Sequence, residues 1–391
     1  MSSTVSFDYI DTVDALSRLC DRLADAPWIA IDTEFLREKT YYPKLCLLQL
    51  AVPGTAACID PLALDDLAPL TDLLFKEHIV KVMHAGRQDM EIIYHLTGRV
   101  PAPVFDTQIA APLLGYPDQV GYGNLVKSVL HVTLDKLHTR ADWSRRPLTP
   151  EQVRYAADDV IFLVEVYRAL HERLAALGRL GWLEEDFRKL ADPALYENPP
   201  EQAWLRVKGA NRLRGASLAV LQALAQWREE QSRERDRPKG WLLRDDAMID
   251  IARHRPATLD ALKQIRGLNE RLLARSGESL IDLVQDAAGT RPQPLPDQVS
   301  RKPLSAAQDA MVDMLMAVVR ISAAENDLNP AVLASRKQLE QLVVGSPDSS
   351  IMQGWRKPLV GDRLTDLLDG KLTLGIHNGQ VVVEQPATLE A

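Results

Sequence analysis

Two carboxylates close an apolar run near the start of the chain. The segment 28–35 reads WIAIDTEF, follows Pro27 and contains Asp32 and Glu34. A short apolar run bounded by proline predicts a buried strand, and alternate residues of a strand lie on one face. The two carboxylates would therefore lie side by side and repel each other unless a cation such as Mg²⁺ or Mn²⁺ lies between them. When no other motif accompanies it, such a pair of carboxylates is more often exposed to solvent than bound to a metal ion.

A further carboxylate follows a later predicted strand. The apolar segment 78–83 predicts this strand, and it leads into a turn that contains His84. Asp89 comes five residues after His84, near the start of a predicted helix. Asp89 could therefore add a third carboxylate to the pair on the first strand.

A predicted helix supplies a tyrosine and a fourth carboxylate. Its N-terminus is marked by Thr149 as N-cap, Pro150 at the first helical position and Gln152 as capping-box partner. Tyr155 and Asp159 are four residues apart and therefore lie on one face of this helix. Asp158 is three residues from Tyr155 and is an alternative that the spacing leaves open.

The elements that must position these residues have the order of a mixed α/β domain. After a short strand and a helix within 5–25, strands are predicted at 28–32, 45–52, 56–60 and 78–83, and helices at 65–75, 87–96, 107–114, 123–130 and 150–177. Short connections between the strands at 28–60 favour an antiparallel meander. The helix before the strand at 78–83 favours a parallel crossover.

The length and two proline-rich stretches predict the domain organisation. At 391 residues the chain is too long for one ordinary domain and predicts two or three. The predicted division is an α/β domain at 1–191, a linker at 192–201, a helical domain at 202–289, a proline-rich linker at 290–303, a more diverged helical domain at 304–383 and a tail at 384–391. We expect both helical domains to be small, all-α and of similar type.

Composition and charge exclude several classes of protein. The chain is 46% hydrophobic and 26% charged, as in globular proteins with apolar cores, and its longest apolar runs are far too short to cross a membrane. The net charge of −8 argues against a protein that coats nucleic acid non-specifically. It does not exclude an enzyme that acts on nucleic acid, because a metal-binding carboxylate cluster is itself acidic.

The cysteines and the first residues predict a cytoplasmic protein. Cys20, Cys46 and Cys58 are odd in number and lack a metal-binding spacing, which indicates free thiols in a reducing compartment. The N-terminal sequence MSSTVSFDYID lacks the basic and then apolar pattern of a signal peptide.

The three motifs, in this order, resemble those of a known family. Asp32-Thr33-Glu34, His84 to Asp89 and Tyr155-x-x-x-Asp159 are similar to the exonuclease motifs of the DEDD superfamily in its tyrosine-containing branch. Over about residues 5–190 the chain resembles the ribonuclease D family, on the additional motifs Tyr41-Tyr42-Pro43, Cys46-Leu47, Gln49, Phe105-Asp106-Thr107, Gly121-Tyr122 and the segment 142–148. The segments 202–289 and 304–383 resemble the HRDC domains that follow the nuclease in that family, the first more clearly.

The resemblance implies an RNase H-like fold and 3′→5′ exoribonuclease activity that releases 5′-mononucleotides from RNA 3′ ends, including tRNA precursors. Two divalent ions, Mg²⁺ or Mn²⁺, about 4 Å apart can supply the chemistry of phosphodiester hydrolysis. In this hypothesis Asp32 bridges both ions, Glu34 and Asp159 complete the ion that generates hydroxide, and Asp89 holds the other. Tyr155 would orient the attacking water, because an ordinary tyrosine pKa near 10 makes it a poor base at neutral pH.

Five further residues are candidates for contact with the substrate: Tyr41, Gln49, His84, Arg145 and Arg146. Arg145 and Arg146 would contact phosphates, and Tyr41 could stack on a base. Each of the others has a structural alternative. His84 and Gln49 could instead satisfy hydrogen bonds within the protein, and Tyr41 could pack on the surface. Two other residues are expected to be structural, Asp106 as a helix cap and Trp143 in the core.

RNA is the expected partner, and we expect a monomer. Two basic clusters lie in the first helical segment, at Arg206, Lys208, Arg212 and Arg214 and at Arg228, Arg233, Arg235, Arg237 and Lys239. The second cluster runs into Trp241 and is weakened by interleaved acidic residues. A role of these clusters in RNA binding is implied mainly by the resemblance.

Three other functions remain possible from the residues alone. The same carboxylates would serve an exonuclease that trims DNA, since only contacts with the 2′-OH distinguish the two substrates. A non-catalytic RNA-binding protein is disfavoured, because repelling carboxylates destabilise a fold that binds no metal. A helicase is disfavoured because the sequence contains no GxxxxGK[ST] phosphate loop.

Overall fold

The computed structural model describes residues 6–134, 141–295, 304–345 and 350–386. Residues 296–303 of the predicted second linker and 387–391 of the predicted tail lie outside the described residues. Among the described helices, none combines the length and the apolar character needed to cross a bilayer.

The N-terminal part of the chain forms an α/β domain. Its strands are β1 (Asp8–Ile10), β2 (Trp28–Leu36), β3 (Lys44–Val52), β4 (Thr55–Ile59), β5 (Val80–Met83) and β6 (Val104–Asp106). Its helices are α1 (Val13–Leu23), α2 (Ala68–Leu74), α3 (Arg87–Thr97), α4 (Thr107–Ala110), α5 (Tyr122–Leu130), α6 (Pro150–Ala176) and α7 (Glu184–Leu190).

These strands form one mixed sheet in the order β1-β4-β3-β2-β5-β6. β2, β3 and β4 pair antiparallel, which confirms the predicted meander. β5 pairs parallel with β2, which confirms the predicted crossover, and β6 pairs parallel with β5. Because β2 lies between β3 and β5, it is hydrogen-bonded on both sides and holds its side chains in fixed positions.

The two faces of β2 contact different apolar cores. Ala30 belongs to a core that includes α6, whereas Ile29 and Ile31 belong to a core formed with α1, α2 and α3. This is the alternation expected of a strand that is covered on both faces. Asp32 and Glu34 continue the series of Ala30, so they lie on the face that α6 covers.

Two predicted helices differ in extent from those in the structure. The helix predicted at 65–75 begins only at Ala68. The helix predicted at 107–114 changes after Ala110 into a 3₁₀ turn at Ala111–Leu114. Pro112 has no backbone N–H and cannot extend the hydrogen bonds of an α-helix, which accounts for the second difference.

The first helical domain consists of α8 (Gly215–Glu234), α9 (Lys239–Leu242), α10 (Asp245–His254), α11 (Leu259–Lys263) and α12 (Glu270–Ala288). A 3₁₀ turn at Pro200–Arg206 packs on α8, so the end of the predicted first linker already belongs to this domain. Helix α12 continues through Gly277 to Ala288. A Cβ at Gly277 would lie 2.6 Å from Leu259 Cδ1, so glycine permits close packing of α11 on α12.

The C-terminal segment contains α13 (Ala306–Glu325), α14 (Pro330–Leu333), α15 (Arg336–Val343), a π-helical turn at Lys357–Gly361 and α16 (Asp362–Leu368), followed by β7 (Thr373–His377) and β8 (Gln380–Glu384). The expectation of an all-α segment is therefore wrong at its end, where β7 and β8 form an antiparallel hairpin. Asn378 and Gly379 connect these strands with positive φ angles of 52° and 76°. Asn-Gly is the preferred sequence of such two-residue turns.

This C-terminal segment packs on the α/β domain. The rings of Trp182 and Trp355 stack with centroids 4.5 Å apart. Arg179 is buried and donates hydrogen bonds to the carbonyl oxygens of Leu113 and Asn326, both at 2.7 Å. Buried apolar side chains of α6 and α13 belong to one continuous core.

Candidate active site

Three carboxylates meet where β2 faces the start of α6. One carboxylate oxygen from each of Asp32, Glu34 and Asp159 lies within 4.8 Å of the others. The predicted capping box of Thr149 and Gln152 is present at the start of α6. It satisfies the first backbone groups of the helix and thereby helps to fix the position of its first turns. Residues of β2 and α6, which are far apart in the sequence, thus form one acidic group.

The structure distinguishes between the two adjacent aspartates of α6. Asp158 forms an ion pair with Arg154, at 2.6 Å and one helical turn away. Asp159, in contrast, is the aspartate that joins Asp32 and Glu34.

Asp89 lies beside this group but outside it. It is buried in the first turn of α3 and accepts a hydrogen bond from the hydroxyl group of Thr33. Thr33 lies between Asp32 and Glu34 on β2, so one strand supplies two carboxylates and the group that holds the fourth. The structure therefore places all four predicted carboxylates in one neighbourhood.

The pKa values of the carboxylates in this site are raised mainly by burial and by the charges of neighbouring carboxylates. Burial raises the pKa of Asp32 well above its ordinary range, and the charges of Asp89, Asp159 and Glu34 add to this effect. Burial also raises the pKa of Glu34 to about 8, that of Asp159 to about 7 and that of Asp89 to about 6. Carboxylate oxygens in such an arrangement are the ligands that hard divalent cations prefer. The donor set therefore fits a divalent metal ion.

A tight turn after β5 brings Asp89 to this place. The Asp106 carboxylate accepts hydrogen bonds from the backbone N–H groups of Ala85 at 3.1 Å, Gly86 at 2.8 Å and Gln108 at 2.8 Å. Asp106 also caps α4, which confirms its predicted structural role. A Cβ at Gly86 would lie 2.7 Å or less from side-chain atoms of Met83, so the turn requires glycine.

His84 borders the site, and both of its ring nitrogens have partners in the protein. Nε2 lies 3.0 Å from the Val120 carbonyl oxygen and Nδ1 lies 2.9 Å from the Thr107 hydroxyl group. Burial lowers the pKa of His84, which favours the neutral ring. Since a carbonyl oxygen only accepts, the neutral ring carries its proton on Nε2. Nδ1 faces the Thr107 hydroxyl group, which itself donates to the Met83 carbonyl oxygen at 3.1 Å. A substrate contact of His84 would therefore involve the face of the ring.

A cavity of about 400 Å³ opens next to the carboxylates. It is lined by Asp32, His84, Gly121, Tyr122, Gly123, Asn124, Leu134, Tyr155, Asp159 and Leu163. Tyr155 thus lies in the wall beside Asp32 and Asp159, as its predicted role requires. Trp143, 2% exposed, is a core residue as predicted and lies beside the Tyr155 ring.

Sequence reasoning assigned no role to Tyr122. Its hydroxyl group donates a hydrogen bond to the backbone carbonyl of Asp159, and its ring centroid lies 5.3 Å from that of His84. Tyr122 therefore supports the helix turn that carries Asp159. The Gly121-Tyr122 motif was the available signal, but only the fold shows what the tyrosine contacts.

Arg146 cannot make the predicted contact with phosphate. Its Nε and Nη2 donate to the Asp60 carboxylate at 2.6 Å, and Nη2 also donates to the Cys46 carbonyl. Nη1 donates to the carbonyl oxygens of Trp143 and Arg145, both at 2.8 Å. These bonds use all five N–H groups of the guanidinium, so Arg146 holds the segment 143–146 against the sheet.

The remaining candidates for substrate contact are dispersed. Arg145 is exposed. Gln49 is paired with Asp32 across the strands and is fully buried, and neither polar atom of its amide has a hydrogen-bond partner among the described residues. Tyr41 is not among the residues that line the cavity. Its hydroxyl group instead donates a hydrogen bond to Glu229 of the first helical domain.

Comparisons with known proteins agree with this geometry. The family model described as 3′-5′ exonuclease matches residues 7–175, and that of the HRDC domain matches residues 217–284. Ribonuclease D of Sphingobium indicum is 40% identical over 94% of this chain and 95% of its own length. Ribonuclease D of Zymomonas mobilis is likewise 40% identical over 94% of this chain and 95% of its own.

A solved structure extends the likeness to three dimensions. Escherichia coli RNase D, described as an exoribonuclease involved in structured RNA processing, superposes with a TM-score of 0.80 at 34% identity. The match covers 93% of this chain and 99% of that protein, so it extends over both the α/β domain and the helical segments. The chain therefore belongs to the ribonuclease D family of 3′→5′ exoribonucleases.

Proposed function

We propose that this protein hydrolyses RNA from its 3′ end in a metal-dependent reaction that releases 5′-mononucleotides. The observation that carries the proposal is the group of Asp32, Glu34 and Asp159, with oxygens within 4.8 Å of one another at the wall of a cavity of about 400 Å³. This volume lies within the range of about 300–1,000 Å³ found for ligand pockets. The cavity would receive the terminal nucleotide, with its phosphodiester directed at the carboxylates.

The four carboxylates would hold two divalent ions, Mg²⁺ or Mn²⁺. Asp32 would contribute to both, Glu34 and Asp159 to one, and Asp89 to the other, partly through water. Such ions, when bound, lower the pKa of a bound water and stabilise the charge on the phosphoryl and leaving oxygens. The support for this assignment is the raised pKa of each carboxylate, since a cation would remove the mutual repulsion.

The other residues around the cavity would orient the reactants. Tyr155 would hydrogen-bond the attacking water and Tyr122 would keep Asp159 in place. Arg145, which is exposed, remains a candidate for phosphate contact. The buried amide of Gln49, opposite Asp32 in the sheet, remains a candidate for contact with the terminal nucleotide.

The proposed substrates are RNA 3′ ends, including tRNA precursors. Support comes from the relatives, which are named ribonuclease D. The competing substrate is DNA, for which the same carboxylates would serve. Matched RNA and DNA oligonucleotides of one sequence distinguish the two, since the sugar 2′-OH is the only difference at each position apart from the thymine methyl group.

We place the enzyme in the cytoplasm as a monomer. The buried and unpaired state of Cys20, Cys46 and Cys58 supports a reducing compartment. Gel filtration with light scattering tests the oligomeric state.

The decisive experiment uses RNA labelled at its 5′ or 3′ end, with and without EDTA. We expect stepwise shortening of the 5′-labelled strand, immediate release of labelled mononucleotide from the 3′-labelled strand, and no reaction in EDTA. Asp159→Asn should abolish hydrolysis, whereas Asp158→Asn, a matched control one residue away, should keep most of it. Equal losses in the two variants, with both folded, would contradict the assignment of Asp159.

A further inference from the structure

A network of hydrogen bonds around Arg146 lies outside the carboxylate group of the site. The Arg146 guanidinium donates to both oxygens of the Asp60 carboxylate and to the Cys46 carbonyl oxygen, each at 2.6 Å. Asp60 also accepts from the Tyr9 hydroxyl group at 2.6 Å and from the backbone N–H of Leu62 at 3.0 Å. Tyr9 lies on β1, Cys46 lies on β3 and Asp60 directly follows β4, and these strands are adjacent in the sheet. Arg146 is therefore bound to a rigid part of the sheet.

The pair of Arg146 and Asp60 is charged at neutral pH. Asp60 is 2% exposed, and burial acts to raise its pKa. The hydrogen bonds from Arg146 and Tyr9 outweigh burial and hold the pKa of Asp60 below its ordinary value. Because a buried carboxylate depends on its charged partner, this pair fixes the position of the guanidinium more firmly than an exposed ion pair would.

The same guanidinium holds the segment of chain that leads into α6. Its Nη1 donates to the carbonyl oxygens of Trp143 and Arg145, both at 2.8 Å. The Trp143 ring centroid lies 6.1 Å from that of Tyr155, with the ring planes inclined by 31°. Aromatic pairs interact at centroid distances of about 4.5–7 Å. Trp143 also belongs to a small apolar cluster with Ala156 and Ala157, which follow Tyr155 on α6. Trp143 thus packs against the turn of α6 that carries Tyr155.

The function proposed for Tyr155 depends on the orientation of its side chain. Tyr155 lines the cavity beside Asp32 and Asp159, where its hydroxyl group would hold the attacking water. A small rotation of the ring displaces the hydroxyl group at its far end. A displacement of about 1 Å in a reacting group can reduce the rate about 100-fold. Turnover should therefore depend on whatever holds this ring in place.

We propose that the ion pair of Arg146 and Asp60 positions Tyr155 for hydrolysis. It acts through Trp143, because the guanidinium fixes the backbone at Trp143 relative to the sheet and the indole ring packs beside Tyr155. Strand β2, which carries two of the four carboxylates, belongs to the same sheet, so the tyrosine and the carboxylates are held by one rigid frame. This inference rests on the proposed exoribonuclease function, in which Tyr155 orients the attacking water.

Steady-state kinetics on a short unstructured RNA test the proposal. Arg146→Gln should lower kcat about 10- to 100-fold and change KM less than about twofold, because a misdirected tyrosine affects the transition state more than substrate binding. Arg146→Lys keeps the charge but has too few N–H donors for the same bonds, so it should lose nearly as much activity. The matched control is Arg168→Gln, which removes an exposed arginine of α6 paired with Glu165 at 3.6 Å and should keep both constants.

A double-mutant cycle shows whether the loss passes through Tyr155. In Tyr155→Phe, which lacks the hydroxyl group, the addition of Arg146→Gln should lower kcat by less than about twofold further. Titration with Mn²⁺ should give the same affinity in Arg146→Gln as in the wild type, since the carboxylates keep their places. Guanidinium ion at a concentration too low to unfold the protein should restore part of kcat in Arg146→Ala and none in Tyr155→Phe.

A second variant separates positioning from folding. Arg146→Gln leaves the buried Asp60 carboxylate without its cationic partner, which destabilises the protein. Trp143→Phe keeps this ion pair, and the indole N–H that it removes has no hydrogen-bond partner among the described residues. Trp143→Phe should therefore fold, as melting curves will show, and should lower kcat with little change in KM.

Fluorine NMR of fluorotyrosine-labelled protein reports on Tyr155 without turnover. The Tyr155 signal, identified by its loss in Tyr155→Phe, should shift or broaden in Arg146→Gln and stay in place in Arg168→Gln. An unmoved signal would overturn the proposal, and so would losses of kcat that multiply in the Tyr155→Phe/Arg146→Gln variant. Failure of the wild type to hydrolyse RNA would instead contradict the proposed function, and the NMR signal would still show whether Arg146 positions Tyr155.

Discussion

Replacement of Glu34 by glutamine should alter the stability of the metal-free protein in a pH-dependent way. Burial, with the charges of Asp159 and Asp89, raises the pKa of Glu34 from 4.5 to about 8. In the unfolded chain this carboxyl group loses its proton near pH 4.5, whereas in the folded protein it keeps the proton to about pH 8. The unfolded state therefore binds fewer protons between these values, so stability is highest below pH 4.5 and falls as the pH rises.

The size of the effect follows from the shift. One group that ionises only in the unfolded state lowers the free energy of unfolding by about 1.4 kcal/mol per pH unit. From pH 5 to pH 7.5 the upper limit for Glu34 is about 3 kcal/mol, and water that reaches this partly exposed side chain reduces it to about 1–2 kcal/mol. Glu34→Gln removes this loss. The metal-free variant should match the wild type near pH 5 and exceed its stability by that amount at pH 7.5.

Urea denaturation in EDTA at pH 5, 6.25 and 7.5, followed by tryptophan fluorescence, measures the difference. Glu38→Gln, which removes an exposed carboxylate just beyond β2, controls for the loss of one charge. In Mg²⁺ the order should reverse, because a cation that binds only the folded wild type stabilises it. Parallel lines for wild type and Glu34→Gln across this pH range would refute the electrostatic argument for the metal site.

Three further changes test other parts of the structure. Thr33→Val removes the hydrogen bond to Asp89 and should weaken metal binding and turnover about 10- to 100-fold, with recovery in Thr33→Ser, as followed by Mn²⁺ titration and by activity. Lys81 is fully buried, and burial lowers its pKa to about 8. The free energy of unfolding of the wild type should therefore rise by up to about 3 kcal/mol from pH 8 to pH 10.5. Denaturation experiments should show no such rise for Lys81→Met. Gly86→Ala would bring a methyl group into Met83 and should destabilise the protein by about 1–3 kcal/mol in thermal melts, whereas the same change at Gly123, where a Cβ meets no atom within 4 Å, is the control.

The sequence was most informative where local rules decide the structure. The apolar run before Asp32 predicted a strand, and the capping box at Thr149 and Gln152 predicted the start of α6. The spacing from Tyr155, together with the family motif, favoured Asp159 over Asp158, and the structure places Asp159 in the carboxylate group. Each of these features depends on backbone geometry within a few residues, so a pattern in the sequence can reveal it.

Contacts between residues far apart in the sequence were harder to predict. Arg146 was expected to bind phosphate, but its guanidinium is held by Asp60, which lies 86 residues earlier in the chain. Tyr41 was a candidate for stacking on a base or for packing on the surface, and its hydroxyl group contacts Glu229 in another domain. The sequence shows that a residue is charged or aromatic, but the fold determines which residue it contacts. The final hairpin is a different case, since Asn378-Gly379 is a local signal that the helical interpretation overlooked.

The long helix α6 contributes both to the candidate active site and to the core shared with the C-terminal segment. Its 27 residues span about 40 Å, with Tyr155 and Asp159 near one end and apolar side chains farther along in the core shared with α13. A fragment that ends near residue 290 would leave Trp182 without Trp355 and the buried Arg179 without the Asn326 carbonyl. The unit that folds is therefore larger than the unit that carries the catalytic motifs, and during synthesis the nuclease reaches its final packing only after the C-terminal segment has emerged.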